Sequence, residues 1–274
     1  MSTSTALVGT PSGLRILPPE LLAARRPHRM FERSLMSTRR TWIIIFSGFF
    51  EPLFYLLSIR IGFSELVGDV GVGGRSIPYA EFVAPALMAA SAMNGAVYDS
   101  TMNLYFKLRH AKTYDTILAT PMTPADVALG EIGWAVIRGF TYSIAFLATM
   151  WALGMTGSPW VVLALPACVL IGFAFASVGM ALTTYMRSWA DFEYVSAVTL
   201  PLFLFSATFY PLSSYGDWGW IVQLSPLYHG VELVRGANLG QFEWSALGHV
   251  AFLLVMTVIG LSVAARRVES LLLK

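Results

Sequence analysis

Charge is what this sequence has least of. Only 12% of its 274 residues are Asp, Glu, Lys or Arg, while 56% are hydrophobic and the mean hydropathy is +0.64. A soluble domain carries about a quarter charged residues. So little polar surface cannot coat a water-soluble globule, and an integral membrane protein is expected. There is one cysteine, Cys168, inside an apolar run. That excludes a disulfide framework within one chain, and the residue reads as a buried small hydrophobe. The formal net charge of +2 is too small for a field directed at nucleic acid. No Gly-x-x-x-x-Gly-Lys-Ser/Thr phosphate loop occurs, so no cofactor is expected on this chain. His229 and Glu232 can share a helical face, but two residues do not make a metal site. No catalytic cluster of histidine, serine or carboxylate falls on neighbouring apolar runs, so no catalytic residues are assigned. Residues 1–20 lack the apolar core of a secretory signal.

What is present divides into three parts. Residues 1–20 are rich in Ser, Thr, Pro and Gly and read as a loose cytoplasmic tail. Residues 21–40 place Leu22, Met30, Phe31, Leu35 and Met36 at helical spacing among Arg25, Arg26, Arg29, Arg33, Arg39 and Arg40. This is a basic amphipathic helix suited to an anionic inner leaflet. Residues 41–274 form the membrane domain. Its six apolar runs are Trp42–Phe63, Ala80–Asn103, Val127–Leu153, Trp160–Tyr185, Val195–Pro211 and Trp244–Ala264. All but the fifth reach roughly the 20 residues that cross a hydrocarbon core. The fifth holds Pro201 and is expected to kink. Lys and Arg concentrate in the N-terminal segment, the second loop (Lys107, Arg109, Lys112), the fourth (Arg187) and the C-terminus (Arg266, Arg267, Lys274). Both termini and the 104–131 segment are therefore expected to be cytoplasmic.

The longest polar break, about Leu104 to Glu131, is expected to carry a short helix over 104–118 and then a sharp turn. Thr123 fits an N-cap, Pro124 the first helical position and Asp126 the third, restarting a helix there. The segment 211–242 is apolar but interrupted by Gly216, Gly219, Pro226 and Gly236. It reads as two short helices dipping back into the outer leaflet.

Five blocks carry a family resemblance. They are YAEFVAPALMAASAMNGAVYDST from Tyr79, KTYDTILATPMTPADVALGEIGWA from Lys112, IGFAFASVGMALTTY from Ile171, FSATFYPL from Phe205 and LSPLYHGVELVRG from Leu224. Together they resemble the permease subunits of ABC-2-type exporters, nearest to the NodJ and daunorubicin-efflux branch. The resemblance covers about Trp42 to the C-terminus. It implies an all-α integral membrane fold: six transmembrane helices, an amphipathic connecting helix, a coupling helix between spans 2 and 3, and a re-entrant pair before span 6. It also implies a bacterial inner-membrane location and a second permease copy, identical or paralogous. Two copies of a cytoplasmic ATPase, which bind ATP and Mg, complete the assembly. The implied cargo is amphipathic: a lipid-linked oligosaccharide, a glycolipid or a hydrophobic drug. An ATP-independent six-span carrier is the alternative.

Three groups of residues are candidates for mechanism. Lys107, Arg109, Lys112, Tyr114, Asp115 and Leu118 would couple to the ATPase, apolar side chains entering its groove while charges ring it. Glu51, Glu131 and Arg138 are intramembrane polar groups. Glu51 or Glu131 is expected to pair with Arg138, as a lock that changes between states or as a fixed packing pair. Asp99 is expected to snorkel or contact the following loop. Phe50, Phe54, Phe205, Phe209 and Tyr210 are aromatic candidates for the translocation path. The run Gly172, Ala174, Ala176, Ser177, Gly179 and Ala181 reads as a close helix-packing face.

Overall fold

Long apolar segments have to satisfy their own backbone hydrogen bonds in lipid, and the computed structural model meets that demand with helices. It describes residues 29, 32–34, 36, 53–72, 74–111, 113–241 and 243–272. The loose tail and most of the amphipathic helix expected over 21–40 lie outside these residues. So do Phe50, Glu51 and the first part of the first apolar run. The described positions 29, 32–34 and 36 are helical, with Arg29 donating to Glu32 at 3.1 Å.

Helix α1, Leu53–Phe63, ends in a π turn and runs into one turn at Ser64–Val67. A short hairpin follows within the loop before the second span, an addition to a mostly helical fold. Strands β1 (Asp69–Val72) and β2 (Arg75–Pro78) pair antiparallel, with Val72 opposite Arg75. Gly74, between the strands, sits at φ 78°, which glycine adopts without strain. Helix α2 begins at Tyr79–Tyr98 and continues without a break to His110. Helix α3 is Thr113–Leu118, α4 Pro124–Ala152 and α5 Ala164–Thr183. Helix α6 is Phe192–Leu204, α7 Gly219–Gln223, α8 Pro226–Leu239 and α9 Ser245–Leu272.

Four of these helices are long and apolar enough to cross a membrane: 79–110, 124–152, 159–183 (α5 with its leading 3-10 turn) and 245–271. At 1.5 Å per residue, the 32 residues of α2 measure about 48 Å, well beyond a hydrocarbon core of about 30 Å. The fifth apolar run behaves differently from expectation. Its helix, α6, starts earlier, at Phe192, and stops at Leu204. Its 13 residues measure about 20 Å, too short to cross alone. Pro201 removes one backbone donor, and the Phe205 amide closes onto the Pro201 carbonyl at 2.8 Å. The chain then bends, with Ala207 at φ 54°.

The core is α5 clasped between α2, α4 and α9. Small residues let the backbones approach. A Cβ on Gly260 of α9 would lie 2.8 Å from the Val178 amide nitrogen and 2.9 Å from the Ser177 carbonyl carbon. A Cβ on Gly179 would meet Ser100 of α2, and one on Gly172 would lie 3.6 Å from Val136 of α4. Ala174, Ala176 and Ser177 are fully buried. The small-residue face read from the sequence is thus where three helices meet α5.

The bundle has two chemically distinct ends. Lys107, Arg109 and Arg187 gather at one, joined by Arg267, whose guanidinium reaches the Thr184 carbonyl at 3.5 Å. We term this the basic end. The far end carries the hairpin, α7 and α8. There Trp151, Trp160, Trp218, Trp220 and Trp244 are all exposed, as in an interfacial aromatic belt.

Candidate functional site

At the basic end, the polar break is built as an extension of α2. The hydroxyls of Ser100 and Thr101 donate to the carbonyls of Ala96 (2.7 Å) and Val97 (2.6 Å) one turn earlier. Such back-bonding competes with the regular ladder, and α2 widens there into a π turn at Asp99–Asn103 and another at Phe106–His110. The expected separate helix over 104–118 is therefore two pieces: the rigid end of α2, to His110, and α3 after the break at Ala111.

Of the two expected pairings, Glu131 with Arg138 does not form. Arg138 of α4 donates to Asp99 of α2 at 2.8 Å, with Tyr142 Oη taking its Nε at 3.1 Å. Glu131 instead takes Lys107 Nζ at 2.6 Å. Glu131 and Arg138 lie two helical turns apart on α4, too far to meet, and each finds its partner on α2. Asp99, expected to snorkel, also accepts from Asn103 and is buried. Glu51, the other expected partner, lies outside the described residues.

Tyr114 requires a second correction. The sequence reading sends it outward into a partner's groove, but it is 2% exposed and packs into the chain's own core with Ile117. Burial, and then the Glu131 carboxylate, push its hydroxyl well above the ordinary tyrosine range. Lys112 and the side chains of Asp115 and Leu118 lie outside the described set. Among the described residues, the exposed ones here are Phe106, Arg109, His110, Ala111, Thr116 and the Ala119–Pro121 turn. The helix restart stands as read: Thr123 caps α4 in a reciprocal capping box with Asp126, and Pro124 opens the helix.

A clasp that sequence reasoning missed ties the end of α2 to the α5–α6 loop. Tyr105 Oη donates to the Arg187 carbonyl at 3.1 Å, and Arg109 donates to the Met186 carbonyl at 3.2 Å. The Trp189 indole donates to His110 Nε2 at 3.3 Å. Tyr105 meets Trp189 and Phe192 edge-on, with centroids 5.2 and 5.3 Å away. Asp191 caps the loop, accepting from the amides of Arg187 (2.6 Å) and Ser188 (3.1 Å). Those amides hold its carboxyl below its ordinary range. Aromatic residues at 105–106 and 189–192 were visible, but nothing local joins them.

Above the clasp, α6 stands off from the bundle and buries none of its residues. The space between is a groove of about 730 Å³ with an almost wholly apolar wall. Met93 and Val97 of α2, Phe175 and Leu182 of α5, and Val198 and Leu202 of α6 define it. Arg187 and Asp191 sit at its basic mouth, and Pro226 and Met256 at its far end. None of the described aromatic candidates for the translocation path lines this groove. Phe205 and Tyr210 are exposed but belong to the bend after α6, and Phe209 packs edge-on against Phe203 at 5.3 Å. Phe54 of α1 is exposed, and Phe50 lies outside the described residues.

The far end holds polar groups that read as mere loop charges in the sequence. Arg235 of α8 is 4% exposed, paired with Glu232 at 2.6 Å and lying over the Phe82 ring at 4.0 Å. Asn238 donates to the carbonyls of Glu81 (3.2 Å) and Met155 (3.4 Å), so α8 is pinned to α2 and to the α4–α5 turn. His229 does not join Glu232. Its Nδ1 lies 2.7 Å from His249 Nδ1 on α9, and its ring stacks on Phe252 at 3.9 Å. Helix α8 starts at Pro226 and ends on Gly240 at φ 66°, with the Gln241 amide returning to the Gly236 carbonyl at 2.9 Å. The expected pair of short helices is present as α7 and α8.

Comparison with known proteins places these features in a family. The ABC-2 type transporter family matches residues 28–239. The Nodulation protein J of Sinorhizobium fredii (strain NBRC 101917 / NGR234) is similar, 28% identical over 232 residues, 84% of this chain and 87% of that one. The Nodulation protein J of Rhizobium leguminosarum bv. trifolii is 29% identical over 211 residues, 76% and 79% of the two chains. That of Rhizobium meliloti (strain 1021) is 29% identical over 202 residues, 73% and 74%.

Proposed function

This chain belongs to the ABC-2 type transporter family as a non-catalytic membrane permease subunit, and from that premise we propose that it exports an amphipathic cargo, driven by ATP hydrolysis on a separate subunit. The groove beside α6 is the observation that supports this reading. Its walls suit an acyl chain or other apolar moiety, and Arg187 at its mouth suits a polar or anionic head. Closing motions of the ATPase would act on the basic end. The rigid extension of α2 carries a push into the bundle, and the clasp through Tyr105, Arg109 and His110 carries it on to α6. Helix tilt of this kind needs two packed arrangements whose balance nucleotide binding shifts.

In the full assembly we place the basic end in the cytoplasm by its excess of Lys and Arg. The first apolar run and the 192–211 segment, α6 together with the bend that follows it, complete six spans, and α7 and α8 re-enter the outer leaflet. A second permease copy covers the open side of α6, and each copy docks one ATPase. The cargo class is a lipid-linked oligosaccharide, a glycolipid or a hydrophobic drug.

The test is purification with the companion ATPase and assay of ATP hydrolysis in proteoliposomes against those three cargo classes. One class is expected to stimulate hydrolysis, and Leu182→Trp or Val198→Trp, which fill the groove, should abolish the stimulation. Stimulation that survives both substitutions removes the groove from the path. Transport without any ATPase sinks the exporter reading itself.

A further inference from the structure

Among the described residues Arg235 is the one buried cation, and every part of its guanidinium is engaged. Nη1 donates to Glu232 Oε1 at 2.6 Å, Nη2 to the Ala207 carbonyl at 2.6 Å and Nε to the Phe82 carbonyl at 3.3 Å. These bonds join three separate pieces of chain: α8, the start of α2 and the bend after α6. The bend is strained. Ala207 is the one non-glycine residue with positive φ among those described, at 54°. Such a conformation persists only where its surroundings hold it. Beside it, Ser206 Oγ lies 2.7 Å from Ser225 Oγ at the start of α8. The next residue, Thr208, has a hydroxyl buried without a hydrogen-bond partner. A buried polar group left unsatisfied marks an arrangement that is costly to keep.

The position of this bend gives it meaning. The apolar groove ends at Leu202 and Pro226, each close in sequence to one member of the Ser206–Ser225 pair. Helix α6 has no buried residue along its length. Leu202 and Phe203 near its far end pack, partly buried, against the core, as does Phe209 of the bend, so that end is held where helix and bend meet. Resting on the export reading above, we propose that Arg235 is the positioning residue of an outer gate. By binding the Ala207 carbonyl it holds the 205–210 bend against α8, across the far end of the groove, and cargo leaves when that bond breaks and the bend moves off α8. Release of the Ala207 bond would leave Arg235 its Glu232 partner and the Phe82 ring, so the cation would not be stripped of all partners.

Two variants in the intact permease–ATPase complex test this. Ser206→Cys with Ser225→Cys puts two thiols where the hydroxyl oxygens are 2.7 Å apart, near the about 2.05 Å of a disulfide. Cys168 is buried in α5 and leaves the experiment clean. With a fluorescent acylated oligosaccharide as probe, the oxidised pair should lower ATP-dependent export at least tenfold, and reductant should restore it. Oxidised protein with a verified disulfide that exports within twofold of its reduced form overturns the gate. Arg235→Lys keeps the charge next to Glu232 but loses the forked reach to Ala207 and Phe82. It should let a small hydrophilic dye leak from proteoliposomes without ATP, and the added disulfide should stop the leak. A purely structural arginine predicts loss of assembled complex and no leak that a disulfide can suppress; that result also overturns the proposal. If the unsubstituted complex moves no probe with ATP, the export reading fails first, and the gate falls with it.

Discussion

Replacing Asp99 by Asn tests the polar contact that joins α2 to α4 at the basic end. The substitution keeps the shape and still accepts from Asn103, but it leaves Arg138 facing a neutral amide. Removing one member of a buried ion pair costs about 3–5 kcal/mol. Arg138 is 22% exposed in its side chain and retains Tyr142, so the lower end is discounted to about 2 kcal/mol. Arg138→Gln should cost more, about 3 kcal/mol, because the Asp99 side chain it strands is only 6% exposed. The double variant leaves no stranded charge and should cost about 2 kcal/mol rather than the sum of about 5. The assay is equilibrium unfolding of the purified protein in mixed micelles, followed by helicity, for all four proteins of the cycle. A non-additivity of about 3 kcal/mol is expected. Costs that add to within about 0.5 kcal/mol would refute the argument, since they would mean that the two side chains do not interact in the folded protein.

Three further outcomes follow from the geometry. Gly260→Ala should force α9 off the Ser177–Val178 backbone of α5, since its methyl would stand 2.8–2.9 Å from backbone atoms. The cost is about 1–3 kcal/mol, read as a lower melting temperature in detergent; an unchanged midpoint would show that the helices yield freely. Thr123→Ala removes the capping box of α4 and should cost about 1 kcal/mol, with faster amide exchange confined to residues 125–127. Asp191 has its folded-state pKa depressed below 3.8 by the Arg187 and Ser188 amides. Its contribution to loop order is therefore complete above 3.8 and is lost as pH falls through the lower, folded value. Trp189 fluorescence should hold constant down to that region in the native chain and lose its structured signal there; Asp191→Asn should abolish this acid transition.

The second of these outcomes rests on something legible from the chain alone. A threonine, a proline and an aspartate at 123, 124 and 126 specify a helix start by local hydrogen bonding, and α4 begins there. The small residues of α5 were legible for a similar reason, because a stripe without side-chain bulk can only invite a neighbour's backbone. The neighbour itself was not legible: nothing local to Gly260 says that it meets Ser177. The Gly-Gly pair at 73–74 is a hairpin signal in the first loop, and the short strands beside it were not read from the sequence. The end of α6 was misread because hydropathy stays high through Pro211, whereas the backbone ends its helix at Leu204 after losing a donor at Pro201.

Composition alone determined that this chain belongs in a bilayer, because too few charges exist to face water on all sides. Local patterning determined where helices restart, where the basic charge collects and which helix face is small. Tertiary structure decided every pairing that matters to the proposed mechanism. Arg138 found Asp99 across 39 residues, Lys107 found Glu131 across 24, and Arg235 reached Ala207 across 28 and Phe82 across 153. It also turned Tyr114 inward. Periodicity and hydropathy act over a few residues and report which side of a helix is apolar. Which helix lies opposite is settled only when all the helices pack at once, and a low-dielectric interior then leaves each charge little choice of partner.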